Sequence, residues 1–209
     1  MRVSIRAVMN ASRRSAIVPR LRMSALIVAI AIGAAGCGAG GRVAQQSLEA
    51  DPDTIVRVLP TRPGLEIAGP GTTLTAAGLP RAALGRDDPA LATTANNAGL
   101  RTAAVREWTG AGGARLVAIA GLWDDGEAAT SISGQIARDV VDGGTAWTPS
   151  QYGGSQGERT GNARALSTVV GKVSLLVIAT GPVGDDEVLR TMDLMRKAAA
   201  QQDLRGAGG

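Results

Sequence analysis

The sequence predicts an α+β domain in which an antiparallel sheet of element order ββαββα carries its helices on one face. Three observations lead there. Apolar runs of strand length come in two pairs, each pair broken by a glycine-containing turn. Each pair precedes a segment whose apolar residues recur at helical spacing. The runs "LVAIAG" (116–121) and "LVIATG" (176–181) are similar, and each is followed by an acidic pair and an amphipathic stretch. A strand–strand–helix unit used twice, about 60 residues apart, gives the same order.

The elements follow in turn. "TAAGLPRAALG" (75–85) allows a helical turn or two. Asp88-Pro89 reads as N-cap and first helical position, with Gly99 closing a short helix over "ALATTANNA". "LRTAAVREW" (100–108) alternates as a strand, "TGAGG" turns the chain, and "ARLVAIAGLW" (114–123) returns as a more buried strand. Asp124 and Glu127 have capping-box spacing, and Ala128, Ile132, Ile136 and Val140 recur at four-residue steps up to Gly143-Gly144. "RALSTVV" and "SLLVIATG" form a hairpin around Gly171-Lys172. Val188, Leu189, Met192, Met195 and Ala199 share one face of a last helix beginning near Asp185. Ile119 and Val177 are expected in the core under Ile132 and Met192, and Trp108 and Trp123, at strand ends, as core plugs.

This domain is assigned to residues 73–203, with a disordered tail at 204–209. Before it, residues 37–72 are rich in Pro and Gly and read as a flexible tether, in which "DTIVRVLP" is at most a short strand. Residues 1–22 hold six arginines and no acidic residue. From Met23 to Gly36 the chain is apolar and uncharged, ending in small residues. A basic arm, an apolar run and a small-residue end make an export signal over 1–36.

Ala34-Ala35-Gly36-Cys37 resembles the lipobox of bacterial lipoproteins. The resemblance implies cleavage before Cys37 and a diacylglycerol, with palmitate-type acyl chains, on its sulfur. It further implies a cell-membrane location on the extracytoplasmic face, with the membrane as the first partner. Ala34 departs from the pattern, in which Leu is commoner, and the resemblance covers only about the first 41 residues. Three alternatives stay open: an uncleaved transmembrane helix, since a span needs about 20 residues, a twin-arginine signal at "SRRSA" (12–16), and a plain buried cysteine at position 37.

Charge points the same way. The pI of about 10.2 suggests nucleic acid. However, six of the 22 basic residues lie in the arm, leaving 16 against 18 acidic ones, a net charge of −2. The basicity belongs to the leader, and nucleic acid is not an expected partner. Cys37 is the only cysteine, so no disulfide staples the fold, and with no Phe the core must be largely aliphatic.

Catalytic chemistry finds little to use. The chain has no His, which removes the usual general base and the commonest metal ligand, and lipidation of Cys37 removes the only thiol. Neither Lys172 nor Lys197 is in an SxxK context. Asp124-Asp125-Glu127 and Asp185-Asp186-Glu187 fit helix starts, where negative charge and a capping oxygen are favoured. They serve chemistry only if they converge in one cleft. "YGGSQGERTGN" (152–162) lacks the ending of a phosphate-binding loop. The expectation is therefore a non-enzyme without metal or cofactor, a lipid-anchored binding or accessory module at the cell envelope. Its partner is an envelope protein, glycan or lipid. Trp147 and Tyr152, flanking Pro149 on a long polar loop, are the expected exposed contact. A lipid carrier with an aliphatic cavity and a carboxylate-based hydrolase are the alternatives.

Overall fold

The computed structural model describes residues 52–61, 65–67, 69–152 and 154–207, all within one compact unit, Arg42–Gly209. The expected export signal, Cys37 and the expected tether up to residue 51 lie outside the described residues.

The paired runs form the centre of one antiparallel sheet. β3 (Leu100–Thr109) and β4 (Arg115–Trp123) pair around a 3₁₀ turn, Ala111–Gly113. β7 (Ala163–Val170) and β8 (Val173–Thr180) pair around Gly171-Lys172. Gly171 takes φ +59, which suits the first central position of a two-residue hairpin turn. β4 and β8 lie side by side, with Ala118 opposite Val177 and Ile119 opposite Leu176. Four short strands complete the sheet: β1 (Glu66–Ile67), β2 (Thr72–Leu74), β5 (Thr145–Ala146) and β6 (Gln156–Arg159). The order is β1-β3-β4-β8-β7-β6-β5, with β2 also on β3. Very short outer strands protect the edges against pairing with other chains.

The helices lie on both faces, which corrects the expectation of one. α4 (Gly126–Val140) places Ala129, Ile132, Ile136 and Ala137 in a cluster with Val117, Ile119, Ala165, Leu176 and Ile178. α2 (Leu79–Leu84) and α3 (Pro89–Asn97) contribute Leu79, Ala83, Leu91 and Ala95 to the same cluster. On the other face α5 (Asp185–Ala207) buries Val188, Met192, Met195 and Ala199 with Leu116, Ala118, Leu175 and Val177. The physical reason is visible in β4 and β8. Their residues are apolar and buried in unbroken runs, so neither face of either strand can be left to water. Trp108 and Trp123 are buried as expected, and Trp123 Nε1 donates to Ser174 Oγ at 2.8 Å.

The repeated sequence is not a repeated structure. Leu116 faces α5, whereas Leu176, its counterpart in the repeat, faces α4. Side chains alternate faces along a strand, so a one-residue difference in phase sends the two matching runs to opposite sides.

Two further local expectations change. Residues 52–56 form a short helix, α1 (Pro52–Val56), not a strand, and tight i→i−3 turns continue it to Leu59. Ile55, Val58 and Leu59, at the i, i+3, i+4 spacing of a helix face, are buried against Trp108 and its neighbours. This part of the segment expected to be a tether therefore belongs to the packed domain. At the start of α4 the capping residue is Asp125, not Asp124: its carboxylate accepts from the Ala128 amide at 3.0 Å. Asp124 instead pairs with Arg101. Asp88 caps α3 as expected, accepting from the Leu91 amide at 3.0 Å. α5 extends to Ala207, into the segment expected to be a tail.

Candidate functional site

The Trp147–Tyr152 segment is folded inward. Trp147 is 8% exposed and Tyr152 5%, and both belong to the cluster under α5. Exposure of these aromatics was the expectation, and burial corrects it. The loop buries Trp147, Pro149, Tyr152 and Ser155 while turning Thr148, Ser150, Gln151 and Gly154 outward. Its backbone groups find partners locally: Trp147 N donates to Gly157 O at 2.7 Å, Tyr152 N to Pro149 O at 2.9 Å, and Ser155 N to Tyr152 O at 3.1 Å. Gly157 makes the approach possible, because a Cβ there would overlap the Trp147 carbonyl oxygen. Arg159 covers the Trp147 ring at 5.8 Å.

Tyr152 forms part of a groove. Asp186, Leu189, Arg190, Asp193 and Arg196 recur at three- and four-residue steps and therefore form one stripe along α5. Together with Gln151 and Tyr152 from the loop they line an open groove of about 440 Å³. The Tyr152 hydroxyl donates to Leu189 O at 2.9 Å. Burial, and after it the charge of Asp193, raises the phenol pKa above its ordinary value, so the hydroxyl stays protonated as the donor.

The charges of the stripe are not all spent on one another. Asp193 is held by Lys197 at 2.7 Å, and this pairing raises the lysine pKa. Arg190 lies 3.9 Å from Glu187. The Arg196 guanidinium stacks over Tyr152, 5.0 Å from the ring centre, and has no carboxylate partner among the described residues. Asp186, exposed in the first turn of α5, has no cationic partner among them either. The groove thus offers one uncommitted cation on an aromatic ring and one uncommitted carboxylate.

The two acidic clusters do not converge. β4 and β8 are antiparallel, with Leu122 opposite Val173 at one end and Arg115 opposite Thr180 at the other. Asp124 and Asp125 follow β4, and Asp185 and Asp186 follow β8, so the clusters lie beyond opposite ends of a strand pair about 24 Å long. Asp185 is engaged by Arg159 at 2.9 Å and by Arg164. Among the described residues no group of three or more potential ligands is arranged to hold a metal ion. Among the described residues α5 does not stand off the sheet, since its Met192 and Met195 are fully buried in one cluster with Leu175 and Val177. Among the described residues no helix is long and apolar enough to cross a membrane.

Tyr152 stands out in the sequence as one of four aromatic residues, but neither its burial nor the groove beside it is legible there. The charged residues of the stripe are visible only as the polar side of α5, and Leu189 reads as part of its apolar face. That a loop 37 residues upstream closes over it depends on β6 and β7 turning back beside β8. No family model matches the sequence. No curated protein matches it. Among solved structures the chain is similar to the extracellular domain of PknH from Mycobacterium tuberculosis, at 8% identity and a TM-score of 0.49, over 72% of this chain and 96% of that one. At that distance the likeness says nothing about what this chain binds.

Proposed function

We propose that the protein is a non-catalytic binding module, held at the extracytoplasmic face of the cell membrane by a lipid on Cys37, and that it takes its ligand in the groove between α5 and the Gln151–Tyr152 turn. The observation that carries the reading is Arg196. Its guanidinium lies over a buried aromatic ring in a concave site and has no carboxylate partner among the described residues. An arginine stacked on an aromatic ring gives up little rotamer freedom when it engages a ligand. Apart from Leu189 and the Tyr152 ring the lining is polar, which favours a polar ligand over a lipid tail. The lipobox, the basic arm and the near-neutral remainder of the chain support the location.

The test is retention of purified envelope fractions (cell-wall polymer, membrane vesicles, envelope protein) by immobilised full-length wild type, Arg196→Ala and Gln151→Ala. Both positions are surface-accessible, so the melting temperature should hold. One fraction should be retained by wild type and lost from the variants. Equal retention by all three would remove the groove from consideration.

A further inference from the structure

The two uncommitted charges of the groove stand ten positions apart on α5, Asp186 near its start and Arg196 further along. At 1.5 Å of rise per residue they are about 15 Å apart along the helix axis. Between them lie Leu189, which offers an apolar contact, and Arg190 and Asp193, each already facing an opposite charge on its own helix. Gln151 lies on the opposite wall and carries both a donor and an acceptor.

Resting on the groove reading above, we infer that the ligand is a short extended peptide carrying a cationic group at one end and an anionic group at the other, laid along α5 with its anion on Arg196 and its cation on Asp186. An extended chain rises about 3.3 Å per residue, so 15 Å is spanned by about five residues. The central Leu189 suits a small apolar side chain between the charged ends, and the Gln151 amide matches the alternating donors and acceptors of a peptide backbone. A neutral glycan would use Gln151 but would leave both end charges of the groove unanswered. A polyanion would meet Asp186 and Asp193 along the stripe.

The experiment is calorimetric titration of the full-length protein in detergent with four probes. Two are end-blocked pentapeptides, Lys-Ala-Ala-Ala-Glu and its reverse Glu-Ala-Ala-Ala-Lys. The third is the neutral Gln-Ala-Ala-Ala-Gln, and the fourth is chitotetraose, a neutral glycan. One or both charged peptides should bind more tightly than the neutral one, by up to about 25-fold, since each of two accessible charge pairs contributes up to about a factor of five. Asp186→Asn and Arg196→Gln should each cut that margin, and the double variant should erase it, without moving the melting temperature. Charged and neutral peptides binding alike would overturn the peptide inference. If chitotetraose then binds and Arg196→Gln or Gln151→Ala weakens it, the groove reading survives with a glycan as its ligand. If no probe binds and the groove variants retain envelope fractions as wild type does, both readings fail together.

Discussion

The Tyr152 hydroxyl and the Leu189 carbonyl oxygen are joined at 2.9 Å, a bond that ties the loop between β5 and β6 to the first turns of α5. The loop is therefore part of the core, and its aromatics are stabilising elements. Tyr152 holds one wall of the groove from inside the fold, and contact with a ligand falls to the charged side chains around it.

The first prediction reverses what an exposed loop would show. Replacing a buried aromatic residue by Ala costs about 3–5 kcal/mol, so Trp147→Ala/Tyr152→Ala should lower the unfolding free energy in urea by several kcal/mol. Tyr152→Phe keeps the ring and loses one hydrogen bond, which should cost about 1 kcal/mol. The raised phenol pKa adds a pH signature. The stability Tyr152 contributes is fully present below the ordinary tyrosine range and is lost as pH rises through the folded value. Wild type should thus lose its advantage over Tyr152→Phe in alkaline solution. A double alanine variant as stable as wild type would show the loop to be free of the core.

The second prediction tests the two-faced sheet. Ile119→Ala should cost about 2–5 kcal/mol, because Ile119 is 3% exposed and packs in the cluster of Ile132. Met192 belongs to the other cluster, on the far side of the sheet. Ile119→Ala and Met192→Ala should then be additive within about 0.5 kcal/mol, whereas Ile119→Ala and Ile132→Ala should couple by more than that. Coupling between Ile119 and Met192 as strong as that between Ile119 and Ile132 would contradict the arrangement.

What the sequence disclosed was local. The hairpins around Gly110–Gly113 and Gly171-Lys172, the Asp88 cap and the apolar stripes of α4 and α5 each depend on residues within one or two turns of one another, and all appear in the fold. The side of the sheet each helix covers depends instead on strand phase, and in runs as uniformly apolar as 116–120 and 175–179 the phase leaves no alternation to read. The buried turn at Ile55, Val58 and Leu59 does carry helical spacing, but prolines at 52, 60 and 63 give the segment the composition of a linker. The groove was least legible, because its two walls come from segments that meet only through the sheet.

The third prediction concerns the start of α4. Hydrogen bonds from the Ala128 amide, and after it the Glu127 amide, hold the Asp125 carboxyl below the ordinary Asp range. A carboxyl depressed in the folded state contributes stability that is present above its unfolded pKa, about 4, and is lost as pH falls through the lower folded value. Asp125→Ala should therefore lower the melting temperature by about 2–4 °C at neutral pH, and the difference should vanish in strong acid. Asp124→Asn, which removes only a partner of the exposed Arg101, should have a smaller effect. Equal effects of the two variants at neutral pH would return the capping role to Asp124.

The last prediction concerns Cys37. A diacylglycerol on the sulfur supplies two acyl chains, enough for stable anchoring where one chain gives only marginal, reversible binding. The full-length protein expressed in a bacterial host should incorporate a fatty-acid analogue, partition into detergent and start at Cys37. Cys37→Ser should incorporate no label and keep its leader. Ala34→Leu, which moves the segment toward the commoner lipobox residue, should speed cleavage without changing the site. The transmembrane alternative predicts a different pattern: wild type and Cys37→Ser both unlabelled, both with Met1 in place, and both in the membrane fraction. The two readings separate on the N-terminal residue of the wild-type protein alone, because a cut before Cys37 removes the apolar run that a span would need.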